Sequence, residues 1–124
     1  MTGRYCPKKE TMSMGHADTL HLVLKGKWYD MIATGEKTEE YRETKPYWIK
    51  RILEDSPAKL PELTPGSRHL LLRTKYERVC FHRGYTSQTM TFEIKYVLCG
   101  MGKVAWGAPV DKVVIIIKLG SRIA

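Results

Sequence analysis

The sequence has no apolar run approaching the ~20 residues that a helix needs to cross a bilayer. Residues 1–15 contain no apolar stretch of the signal-peptide type. These two absences give no reason to expect a membrane partner and make a cytoplasmic protein the simple reading. Cysteine is scarce: Cys6, Cys80 and Cys99 are an odd set, and none sits in a Cys-x-x-Cys pair. Free thiols in a reducing compartment fit that pattern better than a disulfide framework does. Neither a Gly-x-Gly-x-x-Gly nor a phosphate-loop pattern occurs, so dinucleotide and triphosphate-motor chemistry are unsupported. There are no internal repeats. Acidic residues are the minority, 13 against 21 Lys and Arg, for a net charge of +8.

What is present suits a single folded unit. A chain of 124 residues with 43% hydrophobic content is large enough for one core. The positive excess is uneven: residues 18–54 hold seven charges of each sign, and the surplus lies in residues 1–17 and 55–124. A basic surface favours polyanions through counterion release. Residues 1–17 are polar, carry Gly3, Pro7 and Gly15, and show no periodicity, which predicts a disordered leader ahead of one domain over 18–124.

Along that domain the hydrophobic period changes. Leu20, Leu22 and Leu24 alternate with His21, Val23 and Lys25 as in a half-buried strand, which Gly26 ends. Trp28, Met31 and Ile32 recur at helical spacing as far as Gly35. Pro46 is placed to open a second helix, with Thr44 or Lys45 just outside it and Ile49, Ile52 and Leu53 as its buried stripe. From Asp55 to Gly66 three prolines predict a surface loop. Beyond it the period is two. Strands are expected over 70–73, 78–83 and 89–99, the last with Met90, Phe92, Ile94, Tyr96 and Leu98 facing the core. The run from Val113 to Leu119 is apolar on both faces, as in a central or barrel strand. About six strands, with two short helices in the N-terminal half and no strict β-α alternation, predict an α+β fold. A small mixed or antiparallel, partly open barrel fits that count.

The most informative stretch is Gly35-Glu36-Lys37-Thr38-Glu39-Glu40-Tyr41-Arg42. Gly35 suits the left-handed position that closes a helix. The residues after it read as a strand, with Lys37, Glu39 and Tyr41 on one face and Thr38, Glu40 and Arg42 on the other. Neither face is apolar. One reading is an exposed, salt-bridged edge whose charges discourage aggregation. The other is a site: Arg42 offers a planar fork for phosphate or a base edge, Glu40 an acceptor or base, and Lys37 a compact charge.

The spacing Gly-x-Lys-x-x-Glu-x-Arg, at Gly35, Lys37, Glu40 and Arg42, resembles the signature of the ASCH family. The resemblance runs from about Thr19 to Leu119. It implies a PUA-like barrel that binds RNA or a nucleotide in a cleft around this motif. Some ASCH-like proteins are amidohydrolases that deacylate acetylated cytidine with a Lys, a Thr and a further Glu. Lys37 matches the Lys, Glu40 stands where the nucleophilic Thr would be, Thr38 lies two positions earlier, and Glu93 is a candidate for the further carboxylate. Others have been regarded as ribonucleases, which would give Lys37, Glu40 and Arg42 catalytic acid–base roles. A protein-interaction module with a charged strand edge is the third reading.

Aromatic and basic residues are interleaved elsewhere too. Tyr47 and Trp48 lie among Lys45, Lys50 and Arg51, a pattern that grips single strands by stacking and phosphate neutralisation. Tyr47 is the expected binding wall, and Trp48 the expected packing residue of its helix. Arg83 and Tyr85, flanking Gly84, form a second candidate contact, with a solvated face as the alternative. Trp106 is expected to close the barrel end, with stacking on a base as the alternative. Cys80 and His82 share a strand face, but two ligands do not make a metal site and no other pair is spaced to complete one. Neither a metal nor a cofactor is expected. No feature of the sequence bears on oligomeric state.

Overall fold

The computed structural model describes residues 19–54 and 69–124. The expected leader and the proline-containing segment from Asp55 to Gly66 lie outside the described residues. The alternating leucines form β1 (Thr19–Leu24), with Leu20, Leu22 and Leu24 buried. Helix α1 (Gly26–Ala33) comes next and buries Tyr29 and Ile32. The motif strand is β2 (Glu39–Glu43), and α2 (Pro46–Ile52) begins on its proline with Lys45 as N-cap. Proline at this position lacks only an N–H that the first helical turn would leave unpaired anyway. Ile49, Ile52 and Leu53 are buried as their spacing predicts. The remaining strands are β3 (His69–Leu72), β4 (Arg78–Arg83), β5 (Thr89–Met101) and β6 (Val113–Arg122).

These six strands make one curled half-barrel sheet in the order β1-β4-β5-β6-β2, with β3 also pairing β5. The β1–β4 pair is parallel and every other pair antiparallel. Thirteen residues let β5 pair β4 with its first half and β3 with its second. The α+β architecture expected from the strand and helix pattern is therefore the one observed. The main core takes its side chains from both helices and from β1, β4, β5 and β6, including Phe81, Val79, Met90, Ile115 and Ile117.

Strand β5 departs from the expected alternation. Tyr96 is 39% exposed, while Val97 and Cys99 are buried. Ile94 pairs with Leu119 and Tyr96 with Lys118, so two steps along β5 match one along β6. One extra residue inverts the faces of everything after it. Val97 thereby joins the main core, and Leu98 turns to a second apolar cluster with Tyr41, Ala108, Val114 and Ile116. The loop after β5, including a 3₁₀ turn at Val104–Trp106, packs on this second cluster. Strand β6 is consequently apolar on both faces because both are covered.

Candidate functional site

The geometry of the site begins at the end of α1. The Gly35 N–H donates to the Ile32 carbonyl (3.1 Å) and the Lys37 N–H to the Met31 carbonyl (3.0 Å). Gly35 has φ of +88°, which side chains disfavour and glycine accepts. The chain is thus held against the helix through Lys37, and β2 starts only at Glu39. This corrects the expected alternation, which put Lys37 and Glu40 on opposite faces. Lys37 precedes the strand, so the two side chains meet.

Their meeting is buried. Lys37 is 2% and Glu40 4% exposed, so the open, solvated edge is not what forms here. Lys37 Nζ lies 2.8 Å from Glu40 Oε1 and donates to the Trp106 carbonyl at 2.6 Å. It also sits 4.6 Å from the ring centre of Trp28 and 5.4 Å from that of Tyr41. Arg42 Nη1 binds the other Glu40 oxygen and donates to the Tyr41 carbonyl (2.8 Å), and Nη2 donates to the Val23 carbonyl (3.3 Å). The guanidinium lies 4.9 Å from the Trp48 ring centre. Arg42 Nε is buried and has no hydrogen-bond partner among the described residues.

Tyr41 fastens the other face of β2. Its hydroxyl donates to Glu39 Oε1 (2.7 Å) and accepts from the Lys103 N–H (3.0 Å). Burial, reinforced by the hydrogen bond to Glu39, holds the phenol well above its ordinary value of 10.0. Lys118 Nζ lies 3.7 Å from the second Glu39 oxygen and donates to Thr38 Oγ1 at 3.1 Å.

Strands β1 and β2 end the sheet order, and Arg42 reaches from one to the other. A cleft of about 530 Å³ lies there, lined by Lys25 and Trp28, by Glu40 and Arg42, by Tyr47, Trp48 and Arg51 of α2, and by His21 to Leu24. Arg51 Nη2 donates to the His21 carbonyl at 2.8 Å. Two arginines therefore occupy carbonyls along β1, which blunts it against further strand pairing. Three cations, Lys25, Arg42 and Arg51, face one carboxylate that is already engaged. Lys37 does not line the cleft; it stands behind Glu40.

The other expected residues are dispersed. Tyr47 is 62% exposed on the cleft and stands edge-on to Trp48, with ring centres 4.8 Å apart. Lys45 makes an exposed ion pair with Glu43 (3.3 Å). Arg83 is drawn to α1, with Nε and Nη2 3.1 and 3.0 Å from the two Asp30 oxygens. Its guanidinium holds the Asp30 carboxyl below the ordinary 3.8. A Cβ on Gly26 would come within 2.8 Å of that guanidinium, so a larger residue there would have to push the Arg83 side chain aside. Tyr85 is fully exposed on the turn after β4 and does not line the cleft. Glu93 lines a separate concavity beside Gly120 and Ser121, so Lys37 and Glu93 do not share this cleft.

Sequence reasoning missed Trp28 and the Trp106 carbonyl, whereas Arg51, expected among the basic residues interleaved with Tyr47 and Trp48, does line the cleft. Helical spacing assigns Trp28 only to the apolar face of α1, yet it both lines the cleft and stacks on Lys37. His21 was missed as well. The Cys80–His82 pair is joined by His21, which sits opposite Cys80 in the parallel β1–β4 register. His21 Nδ1 is 2.9 Å from His82 Nε2, and Cys80 Sγ is 3.8 Å from the same nitrogen.

Comparison with protein-family models, with curated proteins and with solved structures found no match to this chain.

Proposed function

We propose that this protein binds RNA or a nucleotide in the cleft between β1 and β2, as its resemblance to the ASCH family implies. One observation carries the reading: three cations and three aromatic side chains line a single concavity of about 530 Å³. That volume lies in the range of small-molecule sites. The aromatic set, Trp28, Tyr47 and Trp48, offers π-faces for a base. Lys25, Arg42 and Arg51 offer charge for its phosphate. Glu40 and Lys37 serve as positioning residues. By occupying part of the Arg42 fork, the carboxylate fixes the guanidinium at the wall, where Nε is left without an acceptor among the described residues.

The hydrolase alternative draws less support from this arrangement. Lys37 is engaged by Glu40 and Trp106 behind the cleft wall, and Glu93 lines a different concavity.

Binding of a fluorescent single-stranded RNA and of mononucleotides, measured against salt, tests the reading. Arg42→Lys keeps a cation beside Glu40 but removes the fork, and should weaken binding by about 10- to 100-fold. Equal affinity in wild type and Arg42→Lys would count against the site. Turnover of acetylated cytidine that disappears in Lys37→Ala would favour the hydrolase instead. A protein partner recovered without any nucleic-acid binding would favour an interaction module.

A further inference from the structure

Outside the ion network, the β1–β4 pair assembles three side chains of another chemistry. Parallel register sets His21 opposite Cys80, and strand alternation sets His82 on the same face as Cys80. Their ligand-capable atoms all lie within 4.8 Å of one another. Cys80 is buried, and neither apolar cluster includes it. His82 is half-buried and His21 exposed.

We propose that His21, Cys80 and His82 form a binding site for a zinc-class divalent cation. Two imidazoles and a thiolate are the donor set that borderline-soft first-row ions prefer over magnesium or calcium. With Zn–N near 2.0 Å and Zn–S near 2.3 Å, a tetrahedral ion needs its ligand atoms roughly 3.3–3.8 Å apart. The 3.8 Å between Cys80 Sγ and His82 Nε2 is close to this, and a turn of the exposed His21 ring must both lengthen the 2.9 Å between the imidazoles and bring the widest spacing, up to 4.8 Å, into range. Two of the ligands are fixed by one strand and the third by its neighbour, so the site rests on sheet backbone. Three protein ligands leave a fourth position for water or another donor. Because His21 also lines the cleft, that ion would sit at its border. The site depends on neither the identity of the cleft ligand nor the proposed binding function.

Cobalt(II) titrated into the full chain under reducing conditions is the direct probe. The expected result is one cobalt per chain with a thiolate-to-cobalt charge-transfer band in the near ultraviolet, displaced by zinc. Cys80→Ser should abolish the band, whereas Cys6→Ser and Cys99→Ala should keep it. His21→Gln and His82→Gln should each weaken binding on the order of a hundredfold, since losing a ligand costs at least as much as losing its supporting contacts. Circular dichroism checks that each variant is folded. If Cys80→Ser does not fold, the exposed His21→Gln decides. Absence of a thiolate band in the wild type, a band that survives Cys80→Ser, or cobalt affinity unchanged by His21→Gln would each overturn the proposal.

Discussion

The ammonium of Lys37 and the carboxylate of Glu40 lie 2.8 Å apart, three residues apart in the chain, and both are almost wholly buried. Arg42 binds the second carboxylate oxygen, so one acid holds two bases. Removing such charges from water is costly, and only mutual pairing and further hydrogen bonds offset it. The Trp106 carbonyl and the Trp28 ring complete the set around Lys37. The network ties α1, β2 and the loop after β5 into one wall.

Glu40→Gln should be the most damaging single change in this wall. It leaves the buried Lys37 and the part-buried Arg42 as neighbouring cations without a counter-charge, for an expected loss of about 3–5 kcal/mol in chemical denaturation. Lys37→Met should cost less, because Glu40 keeps Arg42. A loss below about 1 kcal/mol for Glu40→Gln, the range of ordinary surface changes, would mean that water replaces the carboxylate easily.

Tyr47→Ala separates binding from folding. The ring is mostly exposed, so stability should stay within about 0.5 kcal/mol of wild type. If the ring stacks on a base, affinity for single-stranded RNA should fall by about 1–3 kcal/mol. Isothermal titration and thermal melting of the same preparation read both quantities, and unchanged affinity would remove Tyr47 from the binding wall.

Gly102→Ala tests how tightly the loop after β5 seats. An added Cβ would come within 2.6 Å of the Tyr41 ring and 2.7 Å of the Ala108 Cβ. Overpacking of this kind costs about 1–3 kcal/mol, so a lowered melting temperature is expected. A neutral outcome would show that the loop moves aside without penalty.

Alkaline pH should destabilise the fold through Tyr41. Burial and the Glu39 hydrogen bond raise its folded-state value above 10.0, so the folded protein keeps a proton that the unfolded chain releases. The contribution is complete below the unfolded value and is lost as pH climbs from there towards the folded one. One such group gives at most about 1.4 kcal/mol per pH unit. Burial also raises the Cys99 thiol above 9.0, which adds to the slope from a lower pH. Stability measured against pH should therefore fall less steeply above 10 in Tyr41→Phe, and an unchanged slope would assign the loss to other groups.

Much of the architecture was legible locally. Alternating leucines specified β1, Pro46 the start of α2, Gly35 the end of α1, and the doubly apolar run β6, because each depends on neighbours within a few residues. The sequence by itself also determined that charge and aromatics gather around the Gly35–Arg42 stretch. Tertiary structure alone decided what those residues face. Lys37 meets a carbonyl 69 residues away, and His21 meets His82 across 61. The bulge that inverts β5 depends on its pairing with β6, not on its own period. Hydrophobic period is a local property of the backbone, whereas register, bulges and the approach of two sheet edges are set only when distant segments pack.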